Sequence, residues 1–161
     1  MRPDHRGFSL IELLIVVAII LIIAAIAIPN FMRSRMAANQ ASAIQSMRVI
    51  STAQVTYAST YGGGYSAALS ELGPPPAGVP PSSSAAGLID ETMATGVKSG
   101  YSFLYSPTLQ DTTGRYNGYN VQANPTTPGQ SGTTYYFTDQ SHVIRANPTG
   151  PAGASDTPVA Q

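Results

Sequence analysis

The order of apolar and polar residues predicts a membrane-spanning helix at the start of the chain. No polar residue occurs between Leu13 and Ile28, and as a helix this run would be about 24 Å long. Adding the residues from Phe8 to Glu12 gives about 31 Å, close to the thickness of the hydrocarbon core of a bilayer. The segment can therefore span a bilayer if Glu12 lies near one edge.

The segment from Phe31 to Tyr61 predicts an amphipathic continuation of this helix. It contains no Gly or Pro, and its apolar residues recur at helical steps with polar residues between them. Pro29 could stop the helix or bend it, and the uninterrupted pattern that follows favours a bend. Gln54 interrupts the apolar stripe once. The stripe consists of Ala43, Met47, Ile50, Tyr57 and Tyr61.

Short elements are expected after Gly62-Gly63-Gly64, which ends the helix. Residues 67–72 predict a helical turn with Ser66 as its N-cap. Residues 73–87, rich in Pro, Ser and Ala, predict a loop. Residues 88–95 predict a second short helix, with Asp90 and Glu91 in the first turn, where the helix dipole favours acids.

The C-terminal part predicts an antiparallel sheet of three to four strands. The predicted strands alternate in polarity and are rich in aromatic residues. They should pack on the helical stripe, which gives an α+β fold. A turn is expected at residues 139–141, and the Pro-, Gly- and Ala-rich residues 148–161 predict a loosely ordered tail. The strands are residues 101–107, 116–123, 133–138 and 142–146.

Composition argues against an enzyme and against a nucleic-acid-binding protein. Lys plus Arg and Asp plus Glu both number 8, so no net charge attracts nucleic acid. The absence of Cys excludes disulfides, thiolate metal sites and Cys nucleophiles. His142 falls in a predicted strand, where a structural or surface role is expected. We expect no cofactor and no metal, because Asp90-Glu91 fit a helix start better than a calcium site.

The junction from Arg6 to Glu12 is the most informative part of the chain. A carboxylate inside a membrane segment is costly, so Glu12 should have a partner or a function. One alternative places Glu12 outside the bilayer, before a short anchor that begins at Leu13. Another is a secretory signal peptide cleaved after Ala27. That alternative requires an apolar region that begins with Glu12 and is longer than usual.

The residues Gly7-Phe8-Ser9-Leu10-Ile11-Glu12, with basic residues before them and the apolar helix after them, resemble the prepilin-type leader. This leader is shared by type IV pilins and the pseudopilins of type II secretion. The resemblance covers Arg6 to Asn30, including Pro29, and is weaker in the predicted sheet. It implies that a membrane peptidase cuts after Gly7 and methylates the new amine of Phe8, and that Glu12 guides assembly.

The cation created at Phe8 and the carboxylate of Glu12 can neutralise each other where the dielectric is low. The two residues are four apart on one helix, so the pair can form within one chain. Pairing with a neighbouring copy is equally open, and it would set the axial stagger of a filament. Pro29 is a candidate helix kink.

The resemblance also implies a domain order. A leader (residues 1–7) would be removed, a transmembrane and filament-core helix (8–29) would follow, and an extracytoplasmic domain (30–161) would complete the chain. That domain would contain a helix (30–61), a loop region (62–98), a sheet (99–147) and a tail (148–161).

The implied partners are other copies in a helical homopolymer, the prepilin peptidase/N-methyltransferase, and the inner-membrane assembly platform of a pilus or secretion system. Lipid would surround the helix before assembly, so the subunit would pass from the bacterial inner membrane to a periplasmic or cell-surface filament. Two alternatives stay open. One is a major pseudopilin of type II secretion, and the other is a secreted or membrane-anchored binding module.

Overall fold

Two units make up the chain, with the boundary between Arg35 and Met36. The computed structural model describes residues 8–159. One helix, α1 (Leu10–Tyr61), contributes residues to both units, and each unit is described by itself. The second unit also contains a 3-10 helix (Leu69–Leu72), α2 (Glu91–Ala94), β1 (Val97–Lys98), β2 (Tyr101–Gln110), β3 (Tyr116–Pro125), β4 (Tyr135–Asp139), β5 (Arg145–Asn147) and β6 (Thr157–Pro158).

In the first unit, the apolar side chains of α1 are exposed on every side of the helix. Each Leu, Ile and Val side chain from Leu13 to Ile28 exposes between 46% and 66% of its surface. The helix is long and apolar enough to cross a membrane. Water does not tolerate so much contiguous apolar surface, so lipid or protein must cover this segment.

In the second unit, α1 packs on an antiparallel sheet. The strands lie side by side in sequence order, from β1 to β6. The predicted α+β class and antiparallel sheet are confirmed, but six strands form where three to four were expected. The two additional pairings come from very short strands, since β1 and β6 contain 2 residues each.

The core lies between one face of α1 and one face of the sheet. The predicted stripe is buried at Ala43, Met47, Ile50 and Tyr57, and Tyr61 packs against its edge. Alternate residues of the strands point to this stripe, as the period of two requires. Burial of each large side chain contributes about 1.5–3 kcal/mol. The sheet contributes Tyr101, Phe103, Tyr119, Val121, Ala123 and Tyr136.

The tail differs from the expectation of a loosely ordered segment. Strand β6 pairs with β5, and the backbone N–H of Val159 donates to the carbonyl of Ile144 at 2.8 Å. Arg145 Nη1 donates to the carbonyl of Asp156 at 3.0 Å, and Ala152 is buried. Pairing with the preceding strand, β5, decides this order, and local Pro, Gly and Ala content does not reveal it.

Two further local predictions were wrong. Ser66 does not cap a helix, because the 3-10 helix follows Ala68 as its N-cap, and Ala68 makes no side-chain cap bond. His142 is not in a strand: its φ is 61°, and β5 begins later, at Arg145. The turn predicted at residues 139–141 is present, and it is closed by the His142 N–H donating to the Asp139 carbonyl at 2.9 Å.

Candidate functional site

The start of α1 holds the carboxylate that the sequence singled out. Glu12 is the third residue of the helix, and its Oε2 accepts a hydrogen bond from the backbone N–H of Ser9 at 2.9 Å. The first N–H groups of a helix have no partners inside the helix. Glu12 therefore supplies an acceptor for the Ser9 N–H at the N-terminal end of the helix, where the apolar segment begins.

The spacing Ser9-Leu10-Ile11-Glu12 is that of a capping box, in which Ser is the N-cap and Glu is the third helical residue. The structure contains the carboxylate half of this arrangement. The predictions for Glu12 were a cation partner, a role in assembly or a position outside the bilayer, and the capping role was not among them. The Ser-x-x-Glu spacing was the signal available.

Glu12 also has the electrostatic position that a cation-binding carboxylate needs. It is the only acidic residue from Phe8 to Tyr61, and an acid in the first turn is favoured by the helix dipole. One of its carboxylate oxygens accepts the hydrogen bond from the Ser9 N–H. Its other oxygen accepts no hydrogen bond within residues 8–159, so it is able to accept one from a cation near the helix start.

Of the two residues at the predicted cleavage junction, the structure describes only Phe8. Gly7 lies outside the described residues. Phe8 precedes α1 and exposes 84% of its surface. The predicted cut between these two residues, and the methylation of Phe8, stay predictions.

Pro29 lies inside α1, and the helix continues through it to Tyr61. Pro has no backbone N–H, so the carbonyl of Ala25 lacks its usual helical donor. The role of Pro29 as a kink stays a prediction, while the alternative that it stops the helix was wrong.

The acidic pair considered for calcium forms a helix start. Asp90 is the N-cap of α2: its Oδ1 accepts from the Met93 N–H at 2.8 Å and from the Thr92 hydroxyl. Its Oδ2 lies 2.6 Å from Nζ of Lys98. Hydrogen bonds from Lys98, and then from Thr92, lower the pKa of Asp90 to about 2. Within the described part of the chain, no three His, Asp or Glu side chains form a metal-binding group.

Several tyrosines of the second unit are buried packing residues. Burial raises the pKa of Tyr105 and of Tyr119 from the ordinary value of 10.0 to about 12. The Tyr119 ring centre lies 4.9 Å from that of Tyr65, and its hydroxyl lies 3.4 Å from Nδ1 of His142. This position fits the structural role that was predicted for His142.

Comparisons with known proteins match part of the chain. Residues 2–28 match the family model described as the prokaryotic N-terminal methylation motif. Over 56 residues the chain is 50% identical to the type IV major pilin protein PilA of Myxococcus xanthus (strain DK1622). The match covers 35% of this chain and 26% of that relative, about a quarter of its length. No solved structure gives a significant match.

Proposed function

We propose that this chain, whose N-terminal segment matches the prokaryotic N-terminal methylation motif and which is similar to a type IV major pilin over 56 residues, is a structural subunit of a type IV pilus-like filament. A membrane peptidase cuts it after Gly7 and methylates the amine of Phe8, and an inner-membrane platform then adds it to the filament. The observation that carries the proposal is the exposed apolar run from Leu13 to Ile28 directly after Glu12 at the helix start.

The apolar run has two successive environments in this proposal. In the inner membrane it faces lipid, which leaves its surface out of water. In the filament the same surface packs against other copies of the chain. Burial of apolar surface contributes roughly 25 cal/mol per Å². A helix that has left the membrane is therefore more stable packed against other copies than exposed to water.

Cleavage changes the charge at the helix start. It removes the basic residues before Phe8 and leaves an ammonium group there, four residues from Glu12. The Glu12 carboxylate and this cation neutralise each other in a medium where either charge alone is expensive. The capping bond to Ser9 uses one carboxylate oxygen and leaves the other for the cation, from the same chain or from a neighbour.

The proposed role is structural and not enzymatic. A pseudopilin of type II secretion would share the leader and its processing. The relative that matches about a third of the chain is described as a major pilin, which favours the pilus. Deletion of the gene separates the two: a pilus subunit is needed for long surface fibres, and a pseudopilin for exoprotein secretion.

Mapping the mature N-terminus of sheared filaments tests the proposal. Intact-mass analysis should give a chain that begins at methylated Phe8. A Gly7→Leu variant is the control, because it changes the cut residue and should accumulate uncut in the membrane. A mature chain that begins at Ile28 or Met1 would show that the segment is a conventional signal peptide or a static anchor.

A further inference from the structure

An apolar groove lies in the second unit, between α1 and the last strands of the sheet. It has a volume of about 870 Å³. One wall is α1 from Ile44 to Thr56, a length of about 18 Å along the helix axis. The opposite wall is formed by the loop before β5 and by the end of β6, which contribute His142, Val143, Ile144, Pro158 and Val159.

The side chains of the groove are mostly apolar and carry one formal charge. Val55 on the helical wall exposes 49% of its surface and lies opposite a wall of aliphatic side chains. Arg48 is the charged residue of the lining, and no carboxylate lines it. Exposed apolar concavities of this size mark binding surfaces.

We infer that this groove receives the apolar segment Leu13–Ile28 of a second copy of the chain in the assembled filament. The inference rests on the proposed function, and it identifies the surface that accepts the segment. The segment needs cover, since its large side chains are about half exposed or more. As a helix it is about 24 Å long, enough to fill the length of the helical wall.

Charge also matches between the two surfaces. Arg48 places a cation in the groove, and among the residues described no salt bridge engages it. The incoming segment is preceded by Glu12, the only acidic residue of α1. The mature chain also carries the Phe8 ammonium at this end, but the opposite end of the segment is followed by Arg33 and Arg35. Only entry with the Glu12 end towards Arg48 therefore brings a carboxylate to this cation, which favours one direction of entry.

The contact between the groove and the apolar segment, repeated from copy to copy, builds a filament. The groove and the apolar segment are different surfaces of one chain, so their contact is heterologous. Each added copy offers a new free groove or a new free segment, and such contacts extend into a helix unless the rotation closes a ring.

Cysteine cross-linking in filaments tests this contact, because the chain has no Cys of its own. Val55→Cys places a thiol in the groove. It is combined in one chain with a Cys that replaces one residue of the apolar segment, and sheared filaments are oxidised. Successive residues turn by about 100° around a helix, so four positions spread around the helix sample different sides of the segment. They are Ala18, Ile19, Ala24 and Ala27.

We expect a ladder of covalent multimers from at least one of the four double variants. The matched control is Val79→Cys, because Val79 is exposed to 50% of its surface and lies outside the groove. The control pairs, and each single-Cys variant alone, should give no ladder. A double variant that does not assemble alone is co-expressed with the Cys-free chain, and a covalent dimer then replaces the ladder.

Filaments without any Val55-dependent cross-link overturn the inference, as does a cross-link within one chain or a ladder equally strong with Val79→Cys. These outcomes leave the proposed function intact. The absence of filaments from the unmodified chain overturns the proposed function and the inference together.

Discussion

Gln54 and Ser66 bind each other through two hydrogen bonds inside the core. Gln54 Nε2 donates to Ser66 Oγ at 2.7 Å, and the Ser66 N–H donates to Gln54 Oε1 at 3.1 Å. Both side chains are fully buried. The Tyr105 hydroxyl donates to the Ser66 carbonyl at 2.6 Å. This network joins the segment after α1 to both the helix and β2.

Replacing Gln54 with Met should destabilise the protein by about 1–3 kcal/mol. The substitution keeps the length of the side chain but leaves the Ser66 N–H buried without an acceptor, and such a group carries its full desolvation penalty. Urea unfolding of the full chain in detergent measures the change. Gln45→Met is the matched control on the exposed side of α1 and should change the free energy of unfolding by less than about 0.5 kcal/mol. Equal losses from both variants would contradict the network.

Glu12→Ala should leave the subunit inserted and cleaved but poorly assembled. Removal of the carboxylate eases insertion into the bilayer and leaves the Gly7–Phe8 junction unchanged. It deprives the Phe8 ammonium of its partner, and loss of one member of a buried pair typically costs about 3–5 kcal/mol. The penalty recurs with each added subunit. The yield of sheared filament, relative to membrane-inserted and cleaved subunit, measures the effect.

Glu12→Gln separates the two roles of this residue. Its amide oxygen can still accept from the Ser9 N–H, so the helix start is kept while the charge is lost. We therefore expect an assembly defect milder than that of Glu12→Ala, and Glu12→Asp should retain most assembly if it reaches the cation. Normal filament yield from Glu12→Ala would show that the carboxylate is incidental to assembly.

The contribution of the Asp90–Lys98 pair to stability should disappear in acid. The pKa of Asp90 in the folded protein is lowered from 3.8 to about 2, so the stabilisation is present above pH 4 and is lost as the pH falls towards 2. Asp90 and Lys98 are 48% and 32% exposed, so solvent screens the pair, and exposed pairs contribute about 0.2–1 kcal/mol.

Asp90→Asn isolates this pair, because Asn also caps helices well. Its deficit in free energy of unfolding relative to the unmodified chain should shrink from pH 7 to pH 2. Lys98→Met removes the same pair from the other side and should show the same pH dependence. A deficit that is independent of pH would assign the effect to packing. Urea midpoints at pH 7, 4 and 2 measure these differences.

Chelation should not change the stability of the protein. The Asp90 carboxylate caps α2 and pairs with Lys98. The Oδ1 of Asp139 accepts from the Ser141 N–H at 2.8 Å, so both acids already have local partners. The melting temperature should be the same with EDTA and with added calcium. A fall with EDTA that calcium reverses would identify a missed site, and Asp90→Asn and Asp139→Asn would be the first variants to test.

Features set by local periodicity were predictable. The stripe from Ala43 to Tyr57 follows the 3.6-residue period of a helix, and the buried alternation in β2 and β3 follows the period of two. The Ser9–Glu12 cap could also have been predicted, because its two residues are three apart in the sequence. The cut after Gly7 and the methylation of Phe8 rest on resemblance and stay predictions.

By itself, the sequence determined that this chain has one apolar helical segment with a lone carboxylate at its start, because composition and spacing act along a single helix. Only the tertiary structure decided that Gln54 is buried with Ser66 and that the tail pairs with β5. It also decided that His142 lies before β5 and lines a groove. Each of these depends on a partner that lies outside the residue's own helix, strand or turn. Local propensity does not encode which distant donor will satisfy a buried amide or a strand edge, since that choice is made when the sheet packs on the helix.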